Sequence, residues 1–263
     1  MTRRGFLVPA LWLPAALALA LLALPLLALV TRAPWAELPQ LLSRTEVAQA
    51  LGLSLGTATI STALCLVLGI PLALVLARSA GWPLVPRRLL RAVVTVPLVL
   101  PPVVGGVALL LLLGRHGLIG QWLPFTVPFT TSAVVIAQVF VALPFLVLAV
   151  EGALRASDRR FELAAATLGA SRWTVFRRVT LPLIAPGVAA GALLCFTRAL
   201  GEFGATVTFA GSFPGVTQTL PVATYLELQR DPDAAIALSL VLMVISAVVL
   251  LSLRDRWLPG LVA

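Results

Sequence analysis

The sequence is unusual first in the polar residues that it has little of. Its 263 residues include no lysine, one histidine and two cysteines, and 11% of them are charged, against about 25% in a typical soluble domain. Cys65 and Cys195 lie in separate apolar segments without CxxC spacing, and His116 has no second candidate ligand nearby in the sequence. We therefore predict neither a disulfide framework nor a metal site.

The motifs that enzymes use for phosphate binding and metal-assisted hydrolysis are also missing. The chain has no GxxxxGK[ST] loop and no HExxH. We therefore expect it neither to bind ATP nor to act as an enzyme, and we expect it to carry no cofactor. Ion-coupled carriers place ionisable groups inside their spans, and Arg198 and Glu202 are the candidates here. A channel or carrier that works without ATP stays open on the residues alone.

Long apolar runs dominate the rest of the chain, which is 60% hydrophobic with a mean hydropathy of +1.06. A membrane-spanning helix needs roughly 20 mostly apolar residues. Six segments qualify: residues 6–30, 51–77, 92–113, 131–150, 183–202 and 234–253. The first is interpreted as a retained span, because its run is longer than the ~7–15 residues of a signal-peptide core. The sequence thus predicts an all-α membrane protein with six transmembrane helices.

The arginines are unevenly distributed between the two sides of the predicted membrane. All 19 basic residues are arginine, and placing both termini in the cytoplasm puts 14 of them in cytoplasmic segments. Four fall outside: Arg32, Arg44, Arg115 and Arg230. This positive-inside bias predicts an N-in/C-in topology. Short basic loops between spans favour the lipid bilayer over nucleic acid as a partner, despite the net charge of +9.

Two stretches combine helix breakers with small polar residues. VPLVLPPVVGG (96–106) is compatible with a kinked, closely packed helix and equally with a bent helix that lines a cavity. GEFGATVTFAGSFPGVTQTLP (201–221) is rich in glycine and contains four threonines. It is too apolar for an ordinary loop, so we predict that it dips back into or caps the bundle, although an external loop with turn residues remains an alternative. Its hydroxyl and N–H donors suit a tetrahedral oxyanion.

Arg198 and Glu202 lie four residues apart in the fifth predicted span, which Glu202 is expected to end. This spacing places both side chains on one helix face. One interpretation is a self-neutralising pair that allows the span to insert. The other is a positive surface on an anion path, restrained by Glu202.

One long basic segment, residues 158–187, follows the fourth predicted span and runs into the start of the fifth. It has five arginines between Asp158 and Arg178. Three alanines at 164–166 favour a helix, Gly169 can end it, and Ser171 can cap a second short helix in which Trp173 and Phe176 share a face. The residues alone leave open an amphipathic segment on lipid or a docking site for a soluble partner.

This segment resembles the EAA loop of the permease subunits of bacterial ATP-binding-cassette (ABC) importers. Ala164-Ala165, Gly169 and Leu181-Pro182 stand at the spacing of that loop. The glutamate of the EAA loop is displaced in this sequence: Leu163 occupies its usual position, and Glu162 stands one residue earlier. The 96–106 stretch, GRHGLIG (114–120), RALGEFGATVTFAG (198–211) and TQTLP (217–221) resemble the molybdate branch of this family. Sulfate permeases share versions of RALGEFGA.

The resemblance implies a type I ABC importer permease fold over residues 51–256. A first helix and external linker (1–50) would precede it, and a short cytoplasmic tail (257–263) would follow. It implies a pathway for molybdate or tungstate across the bacterial cell membrane, opened by alternating access. The implied partners are a second permease copy in a homodimer, two cytoplasmic ATPase subunits that use ATP-Mg, and an extracytoplasmic molybdate-binding protein. A sulfate or thiosulfate permease is the alternative within the family.

The resemblance also implies two sets of functional residues. ATPase coupling would lie in the cytoplasmic loop at about 157–182, through Glu162, Ala164, Ala165, Gly169, Trp173, Leu181 and Pro182. The translocation path and outer gate would comprise Pro101, Pro102, Gly105, Arg198, Gly201, Glu202, Gly204, Thr206 and Thr208.

Overall fold

The computed structural model describes residues 11–257, and this part of the chain is helical, with no strand. The start of the first predicted span and residues 258–263 of the predicted tail lie outside the described residues. The described α-helices are α1 (Trp12–Thr31), α2 (Leu38–Leu42), α3 (Thr45–Arg78), α4 (Leu84–Val99), α5 (Pro102–Leu113), α6 (Thr131–Ala156), α7 (Arg160–Thr167), α8 (Arg172–Val175), α9 (Leu181–Leu200), α10 (Gly204–Phe209), α11 (Leu220–Glu227) and α12 (Pro232–Trp257).

The prediction of a multi-span helical membrane protein is confirmed. Among the described residues, five helices are long and apolar enough to cross a membrane, or six if the bent pair α4 and α5 counts as one span. The observed helices extend beyond several predicted bounds: the span predicted at 51–77 begins at Thr45, and the one predicted at 131–150 continues to Ala156. The N-in/C-in topology stays a prediction.

The span predicted over residues 92–113 consists of two helices with a break between them. The chain forms α4 and α5, which meet at an angle of 118°. Leu100 and Pro101 at the break are both extended, with ψ of 133°. Each of them precedes a proline, whose ring disfavours the helical conformation in the residue before it. The bend therefore follows from the consecutive prolines, whereas the cavity-lining role of this stretch stays a prediction.

The core of the bundle is formed by α3, α6 and α9. Leu146 and Val150 of α6 pack with Ile184 of α9 and Cys65 of α3, and all four are buried. Gly191 of α9 lies so close to α6 that an added Cβ would be 3.0 Å from the Cβ of Ala149. Small residues at such contacts allow membrane helices to approach closely and gain dispersion contacts, since lipid offers no hydrophobic driving force between them.

The bundle has two distinct ends, at which the candidate sites lie. At the arginine-rich end, α3 and α6 terminate, α4 and α9 begin, and α7 and α8 form the connection. At the opposite end, α3, α6 and α12 begin and are joined by loop contacts. There Arg44 forms an ion pair with Asp231 at 3.4 Å, and the Thr131 hydroxyl donates to the carbonyl oxygen of Val216 at 2.9 Å.

Candidate functional sites at the two ends of the bundle

The segment between α6 and α9 forms two short helices with a sharp turn at Gly169, as predicted. Gly169 has φ of +85°, a conformation that glycine adopts without steric penalty. The hydroxyl oxygen of Ser171 accepts a hydrogen bond from the Thr174 N–H at 3.2 Å and so caps α8. Trp173 and Phe176 do share a face, with ring centroids 5.5 Å apart.

The second short helix runs directly into the fifth span without a break at Leu181-Pro182. A π-helical turn over Phe176–Thr180 joins α8 to α9, and the helical path from Arg172 to Leu200 covers 29 residues. Pro182 lies in the first turn of α9, where a missing N–H costs little. At about 1.5 Å per residue, Trp173 and Arg198 are separated by roughly 38 Å along this path. A displacement of α8 can therefore be transmitted to the opposite end of the bundle.

Glu162, a predicted coupling residue, faces the bundle. Its carboxylate accepts a hydrogen bond from the Thr180 hydroxyl at 2.7 Å and lies 3.6 Å from the Arg78 guanidinium, with 19% of the side chain exposed. It thus connects α7 to α3 and to the π-helical turn. Leu163, at the position where the resemblance expects an acid, is 65% exposed.

This segment exposes several large apolar side chains. Four large side chains project from it with more than half of their surface exposed: Phe161, Leu163, Leu168 and Trp173. We call these four residues the apolar loop surface. Of the other predicted coupling residues, Ala164 is exposed and Ala165 is half-buried. An apolar patch flanked by arginines at the end of a membrane bundle is suited to contact with another macromolecule.

A charged cluster that the sequence analysis missed lies nearby. Glu151 of α6, 5% exposed at its side chain, accepts from the Arg91 guanidinium at 2.5 Å and from the Arg155 Nε at 2.8 Å. Two arginines compensate one buried carboxylate, so α4 is anchored to α6. The four-residue spacing of Glu151 and Arg155 could have predicted their contact. The contact with Arg91 could not be predicted in this way, because Arg91 is 60 residues from Glu151 in the chain.

At the opposite end α5 and α10 are in contact, and Pro102, Gly204 and Thr208 of the predicted path take part in this contact. An added Cβ at Gly204 would lie 2.8 Å from the Cβ of Pro102, and one at Gly106 would lie 2.7 Å from the Cβ of Thr208. Both distances are shorter than a normal carbon contact. These two glycines therefore allow α10 to lie directly on α5. Gly105 faces Phe140 of α6 on the adjoining side.

Arg198 and Glu202 form the expected pair, and the structure shows its surroundings. The Arg198 guanidinium lies 2.5 Å from the Glu202 carboxylate, with the side chains 26% and 1% exposed. Glu202 does not end the fifth span, since α9 stops at Leu200 and Gly201 caps it. Its other carboxylate oxygen accepts from the Ala205 N–H at 2.8 Å. Glu202 therefore joins the end of α9 to the start of α10.

The stretch 201–221 is largely enclosed, which agrees with the prediction that it packs into the bundle. Ala205, Thr206 and Phe209 are buried. The Thr206 hydroxyl has no hydrogen-bond partner among the described residues, whereas the Thr208 hydroxyl donates to the carbonyl of Gly204 at 2.7 Å. Pro101 and Gly201 lie exposed at helix breaks.

A buried polar network between α3 and α6 was also not predicted from the sequence. The amide of Gln138 donates to the Thr57 hydroxyl at 3.1 Å, and the Ser61 hydroxyl donates to the Gln138 oxygen at 2.9 Å. One turn away, the Ser54 hydroxyl accepts from the Leu220 N–H at 2.7 Å. Ser54, Thr57 and Ser61 recur at helical spacing on one face of α3, and this pattern could have indicated the network. These bonds fix the register of α3 against α6 and α11.

No three His, Cys, Asp or Glu side chains lie together as a metal site within the described part of the chain. Cys65 and Cys195 are both buried free thiols, and His116 is exposed.

Comparison with known proteins gives concordant results. A family model described as "Binding-protein-dependent transport system inner membrane component" matches residues 69–259. The molybdenum transport system permease protein ModB of Mycobacterium tuberculosis is 52% identical over 248 residues, which cover 93% of each chain. The protein of the same name from Escherichia coli is 40% identical over 214 residues, covering 80% of this chain and 92% of that protein.

Two solved structures show the same fold at low sequence identity. A chain of a bacterial alginate ABC transporter, crystallised in complex with an alginate pentasaccharide-bound periplasmic protein, superposes with a TM-score of 0.74 and 18% identity. The match covers 93% of this chain and 91% of that one. A chain of the MetNI methionine ABC transporter, in an inward-facing conformation, gives a TM-score of 0.62 at 18% identity. This match covers 78% of the present chain and 92% of the transporter chain.

Proposed function

This chain belongs to the binding-protein-dependent transport system inner membrane component family, and on that premise we propose that it is the permease subunit of an ATP-driven importer of molybdate. The substrate is supported by the relatives named as molybdenum permeases, the nearer of the two described above being 52% identical over 93% of both chains. The geometric observation that carries the coupling is the apolar loop surface, exposed at the end of a helical path that extends to Arg198.

The chain would work in an assembly. A second copy would complete the pathway, two cytoplasmic ATPase subunits would bind the apolar loop surfaces and hydrolyse ATP-Mg, and an extracytoplasmic molybdate-binding protein would deliver the anion. The permease itself would bind no cofactor and catalyse no reaction. The alginate transporter was crystallised in complex with an alginate pentasaccharide-bound periplasmic protein, which supports an extracytoplasmic partner of this kind.

Coupling would proceed through α7, α8 and α9. ATPase closure would move the apolar loop surface, and the continuous path through the π-helical turn would transmit this motion to the end of α9. Because Glu202 joins α9 to α10 and α10 lies on α5, those helices would follow. A shift between outward-open and inward-open states requires that the ATPase bind the two states with different affinity. Glu162, through its hydrogen bond with Thr180 and its ion pair with Arg78, would make α7 move together with α3.

Arg198 would supply positive charge on the anion path. Its guanidinium is 26% exposed and is partly neutralised by Glu202. A transported dianion must be attracted strongly enough to enter and weakly enough to leave. A paired arginine meets both requirements better than a free one.

Uptake of labelled molybdate by vesicles containing the permease, its ATPase and its binding protein would test this function. We expect uptake that requires ATP and is inhibited by unlabelled molybdate or tungstate, with little inhibition by a 100-fold excess of sulfate. Sulfate uptake without any response to molybdate would contradict the substrate assignment. Molybdate flux in the absence of ATP and partners would instead indicate a channel or an ion-coupled carrier.

Replacing both members of the Arg198–Glu202 pair would separate its structural role from its transport role. Arg198→Ala alone is expected to destabilise the fold by about 3 kcal/mol, because a carboxylate that is 1% exposed loses its counter-charge. Arg198→Met combined with Glu202→Gln should restore most of the thermal stability, since no unpaired charge remains. That double variant is nevertheless expected to lose most of its molybdate uptake.

The matched control for this pair is Arg44→Ala at the same end of the bundle. Its ion pair with Asp231 is exposed, at 46% and 37%, and such pairs contribute about 0–1 kcal/mol. A folded double variant with normal uptake would show that Arg198 has only a structural role.

A further inference from the structure

Two adjoining clefts open at the arginine-rich end, between the end of α3 and the segment of α7 and α8. One measures about 550 Å³ and the other about 210 Å³. They share four lining residues: Leu74, Arg78, Arg159 and Glu162. The larger cleft alone falls within the ~300–1,000 Å³ range of ligand-binding pockets.

The polar lining of these clefts is strongly basic. Four arginines line them, at positions 78, 155, 159 and 172, against the single acid Glu162. Arg155 is held by Glu151, and Arg78 is partly engaged by Glu162. Arg159 and Arg172 are exposed and form no ion pair within the described part of the chain. The clefts therefore carry uncompensated positive charge suited to an anion.

The floor of the larger cleft is apolar. Pro71 and Leu74 come from the last two turns of α3, and Val175 and Phe176 come from the start of the path into α9. These residues come from the ends of two of the helices that are long and apolar enough to cross a membrane. Leu163 and Trp173 of the apolar loop surface also line this cleft. A small inorganic anion would leave this apolar surface without a partner.

We propose that these clefts form a binding site for an anionic phospholipid. The phosphate of the headgroup would bind between Arg159 and Arg172, and the first part of an acyl chain would lie on Leu74 and Phe176. Basic pockets between helix ends are a recognised setting for anionic lipid headgroups. The lipid would bridge α3 and the α7–α8 segment beside the Glu162–Arg78 contact, and it would stabilise their relative position. This inference does not depend on the transported substrate.

Native mass spectrometry of the purified full-length chain would test the site directly. The probes are dioleoyl phosphatidylglycerol, dioleoyl phosphatidylcholine with the same acyl chains, and glycerol 3-phosphate, which has the headgroup phosphate without acyl chains. We expect phosphatidylglycerol to bind at least ten times more tightly than phosphatidylcholine. Glycerol 3-phosphate should compete poorly, because it gains nothing from the apolar floor.

The variant Arg159→Gln with Arg172→Gln is expected to lower phosphatidylglycerol affinity about 30-fold. Each arginine near an anionic headgroup contributes a similar amount to the binding free energy, so the factors lost with the two arginines multiply. The control, Arg87→Gln with Arg88→Gln, removes the same charge from the same end but outside both clefts. It should bind the lipid like the unaltered chain. Equal thermal unfolding midpoints for the two variants would show that folding is not the cause.

Three results would overturn the proposal. They are equal affinity for the two phospholipids, an equal loss of binding in both double variants, and displacement of phosphatidylglycerol by equimolar glycerol 3-phosphate. The last result would identify a site for free anions and not for lipid.

Discussion

Replacement of Gly169 by proline is expected to reduce ATP-driven molybdate uptake roughly 100-fold while the chain remains folded in the membrane. Gly169 has φ of +85°, whereas proline requires about −65°. Its N–H also donates to the carbonyl of Ala166 at 3.0 Å, a bond that proline cannot make. The resulting strain, about 3 kcal/mol or more, would be relieved by turning α7 away from α8. The apolar loop surface would then no longer match the ATPase.

Two milder substitutions at the same position serve as controls. An added Cβ at Gly169 meets no other atom within 4 Å, so the cost of alanine is confined to the backbone, at about 1–2 kcal/mol. Asparagine tolerates this conformation better. We expect uptake and permease-stimulated ATP hydrolysis to decrease in the order glycine, asparagine, alanine, proline. Normal co-purification of the ATPase with the proline variant, together with normal uptake, would refute the docking role of this turn.

Gly106→Ala is expected to reduce molybdate uptake about tenfold or more, which is the largest expected effect after that of Gly169→Pro. The new methyl group would lie 2.7 Å from the Cβ of Thr208 and 2.9 Å from the carbonyl oxygen of Ala205. The oxygen is backbone and cannot move without displacing α10. Overpacking of this kind costs about 1–3 kcal/mol, and here it would separate α5 from α10 at the proposed gate. Uptake assays and thermal unfolding of the purified protein would measure both consequences.

The control is the same substitution at Gly52 in α3. An added Cβ there meets nothing within 4 Å, and alanine is the better helix former by about 1 kcal/mol. Gly52→Ala should therefore leave uptake unchanged and preserve or raise the unfolding midpoint. If Gly106→Ala behaves like Gly52→Ala, the close contact between α5 and α10 is not required for transport.

The elements that the sequence predicted well depend on local rules. Apolar runs of sufficient length must be helical in a bilayer, because no other structure of a single segment satisfies the backbone there. The turn at Gly169, the cap at Ser171 and the pairing of Arg198 with Glu202 all involve residues within four positions of each other. The break inside the span predicted over 92–113 has an equally local cause, since Leu100 and Pro101 each precede a proline.

The contacts that sequence reasoning missed join residues that are distant in the chain. Glu162 was predicted to take part in ATPase coupling, and the sequence did not indicate that its carboxylate lies against Arg78 and Thr180. Glu151 binds Arg91 across 60 positions. No periodicity in the sequence specifies which arginine a carboxylate will meet.

The sequence by itself determined that this is a helical membrane protein of an importer family, with a helix–glycine–helix turn between two spans and a charge pair at the end of one of them. Hydropathy and residue spacing suffice for the helices, the turn and the charge pair, because each acts over a few neighbouring residues, whereas the importer family follows from the resemblance of these stretches to known permeases. The tertiary structure decided that Glu162 faces inward, that α10 lies on α5, and that Arg78 of α3, Arg159 before α7 and Arg172 of α8 line the larger of the two basic clefts. Those relations depend on how the helices pack against each other, and the energy of packing is shared among residues that lie far apart in the chain.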